Sequence, residues 1–174
     1  MNQGRQGDFE QVVLPHFDAA YNLARWLTRN DHDAQDVAQE AVLRAYRFFD
    51  GLRGEPRPWL LAIVRNSCFT WLQANRPADT VGFDDGAIEL IPTDEDGPEV
   101  LAARNFDRKM LNETIATLPL QFREALILRE LEDLSYKDIA RITGVPIGTV
   151  MSRLARARRL LAESLGATSN ISAH

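Results

Sequence analysis

Residues 134–161, LSYKDIARITGVPIGTVMSRLARARRLL, contain the pattern that decides the fold class. Ser135, with Asp138 three residues later, is typical of a capped helix start, and Gly144 suits a tight turn before Pro146 restarts a helix. In the second helix, four apolar residues share one face: Val150, Leu154, Ala157 and Leu161. Two short helices joined by a glycine turn predict a helix-turn-helix.

The outer face of that second helix has the side chains of a DNA reader. Thr149, Ser152 and Arg156 lie away from the apolar face, and Arg153 lies on its flank. Residues 141–162 include five arginines and no acid. Short hydroxyls allow close approach, and arginines bind phosphates or guanine edges. The alternative is a surface helix with a solvated basic face, but the agreement of cap, turn and charge favours DNA binding.

The net charge of −5 is unevenly distributed along the chain. Residues 1–76 hold nine basic and nine acidic side chains, and residues 104–174 hold eleven basic and eight acidic. Residues 77–103 hold eight acids and no base. The acidic total therefore comes from one middle segment and does not exclude nucleic-acid binding at either end.

The N-terminal part predicts three helical stretches. The first runs from Phe9 to Leu27 and is interrupted near Pro15, which cannot continue a helix. The second is expected over about residues 33–50 and the third over about residues 58–75. The inward positions of the second stretch are Val37, Ala41, Ala45 and Phe49.

The fold class expected from this organisation is all-α, with two small helical domains and a helix-turn-helix in the second. The domains are expected at residues 1–76 and 99–174. Residues 77–98 contain six glycines or prolines among the acids and predict a flexible acidic linker. The last helix is expected to end at Gly166.

Six aromatic residues lie between residues 46 and 71, and arginines are interleaved with them. Aromatic faces and cations together are typical of proteins that grip unpaired bases. The alternative is that the aromatic side chains fill the core. We expect the core for Phe49, Trp59 and one of Phe69 or Trp71.

Metal binding and enzymatic chemistry have little support in the sequence. His32, Asp36 and Glu40 share one helix face, but helical di-iron sites need more carboxylates and paired Glu-x-x-His motifs. A solvated or partner-binding acidic face is the better interpretation. The sequence has no phosphate loop and no nucleophile paired with a base, so no metal, no cofactor and no catalytic activity are expected.

Compartment follows from cysteine use and hydropathy. The one cysteine, Cys68, excludes an internal disulfide and a Cys-rich zinc site and suits a reducing compartment. No run reaches the roughly 20 apolar residues of a membrane span. We therefore expect a cytoplasmic protein without membrane insertion.

Three segments together resemble one family, the extracytoplasmic-function (ECF) sigma factors of bacterial RNA polymerase. DAQDVAQEAVLRAY (33–46) resembles the region that docks on the clamp helices of the β′ subunit. RPWLLAIVRNSCFTWL (57–72) resembles the region that opens the −10 element. Residues 117–158 resemble the region that binds the −35 element and the β flap. The resemblance covers roughly residues 9–165 and keeps the family's order.

The resemblance implies a role for residues at three sites. The residues implied to bind core polymerase are Asp36, Gln39 and Glu40. The residues implied to contact the −10 element are Arg53, Trp59, Arg65 and Asn66. Asn66 and the loop 52–58 are implied to bind a flipped base. The residues implied to contact the −35 element are Thr149, Ser152, Arg153 and Arg156. The implied partners are core RNA polymerase, promoter DNA and an anti-sigma factor.

Two positions depart from the family pattern. Met151 stands where several members have a basic residue, and the loop before Trp59 is shorter than in some members and carries two prolines.

A stand-alone helix-turn-helix repressor is the rival interpretation. It would need a dimerisation or ligand module, and it would not need the segment 33–46.

Overall fold

The computed structural model describes residues 2–80 and 108–172. Within these ranges every regular element is helical and no strand is present. The chain forms two compact units, one containing residues 2–80 and the other containing most of residues 108–172. The predicted fold class of two small helical domains is confirmed. In the described ranges, no helix has the length and apolar content needed to cross a bilayer.

The first domain is built around three long helices. Its α-helices are α1 (Asn2–Val12), α2 (Phe17–Thr28), α3 (Asp31–Arg47), α4 (Pro56–Asn75) and the short α5 (Pro77–Thr80). The predicted interruption at Pro15 is confirmed, because a 3₁₀ turn at Leu14–His16 separates α1 from α2. A second 3₁₀ turn, Phe49–Gly51, follows α3. The predicted linker begins with α5, and its residues 81–98 lie outside the described residues.

Helix α3 owes its place to a stripe of small side chains. Helices α2, α3 and α4 pack against one another. The buried residues of α3 are Ala34, Val37, Ala38, Ala41 and Ala45, which recur at the spacing of one helix face. Short side chains let the larger leucines of α2 and α4 pack close to the α3 backbone. The opposite face of α3 is left exposed along its length.

Both ends of α3 are stabilised locally. The Asn30 side chain accepts a hydrogen bond from the Asp33 backbone N–H at 3.0 Å and so caps the helix. Asp31 and Asp33 lie in the first turn, and Arg44 and Arg47 lie in the last. Each charge has the sign that the helix dipole favours at its end.

The second domain contains four described α-helices. They are α6 (Arg108–Ala116), α7 (Leu120–Leu126), α8 (Tyr136–Thr143) and α9 (Ile147–Ser172), and α7 continues into a π-helical turn at Ile127–Leu131. Helix α9 packs against α6 and α7. The prediction that Gly166 ends the last helix is wrong, because α9 continues to Ser172.

A buried arginine closes the turn between α6 and α7. Arg123 is 3% exposed, and its Nη1 donates to the carbonyl oxygen of Leu118 at 2.7 Å and to that of Ala116 at 3.3 Å. Carbonyls at a helix end have no partner inside the helix. Arg123 supplies that partner and so fixes how α7 leaves α6.

Candidate nucleic-acid and partner interfaces

The outer face of α3 combines acidic, amide and apolar side chains. Asp36, Gln39 and Glu40 are all exposed, opposite the buried alanine stripe. Leu43 lies beside them on the same face and is 65% exposed. Glu40 Oε1 lies 3.5 Å from Arg44 Nη2, which makes an ion pair across one turn of the helix. These residues, 36, 39, 40 and 43, are called the docking face below.

Leu43 was missed by sequence reasoning, although its signal was present. It lies off the inward positions 37, 41 and 45, so helical spacing alone places it outside the core. An exposed leucine beside carboxylates is the combination found at protein interfaces, with an apolar centre and a charged rim. The docking face therefore has the composition of a protein interface rather than that of a surface that contacts only water.

Helix α4 brings together three of the four residues expected at the −10 element. Trp59 and Asn66 are seven residues apart and share a face, with Trp59 half-buried and Asn66 exposed. Arg65 lies with its guanidinium carbon 3.7 Å from the centre of the Phe69 ring, and its Nη1 donates to Asn66 Oδ1 at 3.5 Å. Arg53 lies apart in the loop before α4, where its Nη1 donates to the carbonyl oxygen of Leu52 at 3.1 Å.

The expectation that Phe49 and Trp59 are core residues is only partly met. Both are half-buried, as are Phe69 and Trp71. The buried positions of α4 belong instead to Leu60, Leu61, Val64, Ser67, Cys68 and Leu72. The aromatic side chains are therefore less buried than these core residues and keep part of their surface exposed.

The end of α3 and the turn after it are held by contacts from α1. Phe9 is 5% exposed and packs edge-on against Tyr46 and Phe49, at centroid distances of 5.2 and 5.4 Å. Arg5 donates to the carbonyl oxygen of Tyr46 at 2.7 Å and pairs with Asp50 at 3.3 Å. These contacts hold the end of α3 and the turn after it, from which the loop to α4 departs.

The helix-turn-helix forms as the sequence predicts. The Ser135 hydroxyl accepts from the Asp138 backbone N–H at 3.1 Å and caps α8. Gly144 has φ +73°, a left-handed conformation that glycine adopts without strain. The Val145 N–H donates to the Ala140 carbonyl at 3.2 Å across the turn. The cap of α8 and the turn before α9 are therefore both formed by residues close together in the sequence.

Helix α9 displays the predicted polar face. Its apolar residues Val150, Leu154, Ala157 and Leu161 are each at most 1% exposed. Thr149, Ser152 and Arg156 are partly exposed on the other side. The Ser152 hydroxyl donates to the Gly148 carbonyl at 2.9 Å, so its oxygen keeps its capacity to accept.

The arginines of α9 differ in accessibility. Arg153, expected at the −35 element, is only 8% exposed in this structure. The Arg158 Nη2 lies 2.7 Å from Glu130 Oε1, and this partly buried pair ties α9 to the π-helical turn. Arg156 and Arg159 are partly exposed. Arg141, on α8, is exposed.

Comparison with known proteins matches both domains. Residues 12–77 match the family model of Sigma-70 region 2, and residues 108–161 match that of Sigma-70, region 4. The chain is 35% identical to the RNA polymerase sigma-H factor of Pseudomonas aeruginosa, over 95% of this chain and 90% of that protein. It is 39% identical to the ECF RNA polymerase sigma-E factor of Escherichia coli K12, over 92% of this chain and 88% of that protein.

The fold has a counterpart among solved structures. The sigma factor RpoE of Bartonella quintana, in complex with the anti-sigma factor NepR, superimposes with a TM-score of 0.71 at 27% identity. The match covers 91% of this chain and 97% of that one.

Proposed function

The chain belongs to the extracytoplasmic-function family of RNA polymerase sigma factors, and we propose which of its surfaces bind the polymerase and the promoter. As a member of this family it directs promoter-specific transcription initiation. We propose that the chain acts in the cytoplasm. We also propose that it has no catalytic activity, because the core enzyme carries out RNA synthesis. The predicted domain limits, 1–76, 77–98 and 99–174, remain part of the proposal.

The docking face on α3 binds the clamp helices of the β′ subunit. Its two carboxylates, Asp36 and Glu40, are exposed, and reversing or removing them costs the fold little. Leu43 provides apolar area that is 65% exposed in the isolated chain. A charged rim steers a partner of opposite sign, and the leucine adds the apolar burial that keeps it bound.

The −35 element is read by α9, the second helix of the helix-turn-helix. Thr149, Ser152 and Arg156 face away from the core and present two hydroxyls and a guanidinium to the major groove. Arg153 is expected to contribute less, because its side chain must first leave its buried position. The rest of the second domain contacts the β flap.

The −10 element is trapped as single strand against α4. The Arg65 guanidinium stacked on Phe69 extends a flat surface beside the exposed Asn66 amide. Stacking surfaces hold unpaired bases whatever their sequence, and an amide adds hydrogen bonds to a base edge. Arg53, in the preceding loop, contacts the backbone of the opened strand.

A protein inhibitor is also proposed. The structural relative from Bartonella quintana was solved with an anti-sigma factor bound. A partner of that kind would keep this chain from the polymerase until released.

The observation that carries the proposal is the docking face, which a stand-alone repressor does not need. DNase footprinting on a selected promoter fragment tests it with three samples: the chain alone, core polymerase alone, and both together. We expect the −35 and −10 elements to be protected only in the mixture. Specific protection by the chain alone, unchanged when core polymerase is added, would support the repressor instead.

A further inference from the structure

Two large apolar side chains on α9 remain exposed. Ile147 is 45% exposed and Met151 is 50% exposed, whereas the core residues of the same helix are at most 1% exposed. They are four residues apart, so they are neighbours along one edge of the helix. Among the residues that the structure describes, none covers these two side chains.

This edge lies beside the polar face at the start of the helix. By the helical angle of about 100° per residue, Gly148 and Ala155 lie between Met151 and the polar face. A side chain added at Gly148 would meet nothing within 4 Å. The small residues therefore leave room for a flat group to reach Met151 and the helix backbone together.

Cations contribute little to this edge over the described residues of α9. Arg158, seven residues after Met151, lies on the edge, but its Nη2 is 2.7 Å from Glu130 Oε1 and so is held by a carboxylate. The exposed side chains of Ile147 and Met151 can therefore make an apolar contact with a ligand at this edge.

We propose that Met151, supported by Ile147, reads the 5-methyl group of a thymine in the −35 element. The inference rests on the proposed insertion of α9 into the major groove. Thymine is the one standard base that presents a methyl group there, and apolar side chains recognise it by contact. Ile147 and Met151 are two exposed apolar side chains, and the small residues Gly148 and Ala155 separate them from the polar face. So small an apolar area suits a base-pair edge better than a broad protein interface.

The test replaces thymine by uracil, which removes only the methyl group, at each A·T pair of the −35 element in turn. Binding of the holoenzyme to a promoter recovered by run-off selection is measured by competition. We expect one replacement to weaken binding roughly fourfold, the value of one buried methyl group. Replacements in the spacer between the two elements are the matched control and should change nothing.

Two variants assign the effect to Met151. Met151→Ala should abolish the discrimination between thymine and uracil, and Met151→Leu should keep it, because leucine retains the apolar volume. Circular dichroism should show both folded, since the side chain is half exposed. Discrimination that persists in Met151→Ala would overturn the inference.

Failure of the inference is distinguishable from failure of the proposed function. Normal −35-dependent binding that is insensitive to every uracil replacement, or a selected −35 element made only of G·C pairs, overturns the role of Met151 alone. Weaker binding to a protein partner in Met151→Ala, with DNA discrimination unchanged, also overturns it. Holoenzyme binding that ignores the whole −35 element overturns the proposed function as well.

Discussion

Reversing both carboxylates of the docking face, with Asp36→Arg and Glu40→Arg together, is expected to weaken binding to core polymerase about a thousandfold at low salt. Both side chains are exposed, so their charges act largely through water, where unit charges about 4 Å apart interact by about 1 kcal/mol. Each reversal turns that attraction into an equal repulsion, a change of about 2 kcal/mol. Two sites give about 4 kcal/mol, which sets the expected ratio of Kd values.

The same substitutions should leave the first domain folded. They do not touch the buried stripe of α3, and they remove the exposed ion pair between Glu40 and Arg44, whose atoms are 3.5 Å apart. Such a pair contributes about 0.3–0.5 kcal/mol, and the like-charge pair that replaces it costs about as much again. Because about 1 kcal/mol shifts Tm by about 4–8 °C in a domain of this size, the melting temperature should fall by only a few degrees.

Fluorescence anisotropy of the labelled chain titrated with core polymerase measures the effect. The matched control is Asp8→Arg with Asp18→Arg, which makes the same change in net charge at exposed positions on α1 and α2. Wild-type affinity in the docking-face variant would refute the reasoning. An equal drop in affinity in the control would refute it too, because the effect would then come from net charge alone.

The remaining predictions concern the DNA surfaces and the turn. Arg156→Ala should weaken −35 binding by about 1–3 kcal/mol and relax base preference in competition assays; unchanged discrimination in a folded variant contradicts its role. Asn66→Ala should reduce permanganate reactivity of the −10 thymines while −35 binding stays intact, and normal strand opening would exclude a contact by the amide. Gly144→Ala should lower stability by about 1–2 kcal/mol because its φ is +73°, whereas Gly148→Ala within α9 should raise it by up to about 1 kcal/mol. Thermal melting that shifts both the same way would count against the assigned turn geometry.

The features that sequence predicted well are those set by neighbouring residues. The cap at Ser135 and the left-handed turn at Gly144 depend on a few consecutive side chains, and the structure has both. The inward stripes of α3 and α9 follow from helical spacing alone. The faces opposite those stripes, which carry most of the candidate binding residues, were therefore predictable as surfaces.

The features that sequence did not predict depend on packing between distant segments. Arg158 and Glu130 form an ion pair although they are 28 residues apart in the sequence. Helical spacing could not predict this pair and indicated only that Arg158 is basic. Trp59 is only half-buried, whereas its neighbours Leu60 and Leu61 are buried in the core. Gly166 lies inside α9, which continues to Ser172, so a glycine near the end of a helical pattern does not by itself end the helix.

Run-off transcription with purified core polymerase tests the central claim most directly. The template carries a promoter selected by the holoenzyme, and matched templates carry a scrambled −35 or −10 element. We expect a transcript of defined length only when the chain and core polymerase are both present, and we expect it to disappear when either element is scrambled. A transcript of equal yield from core polymerase alone, or no transcript from any selected genomic fragment with both proteins present, would contradict it.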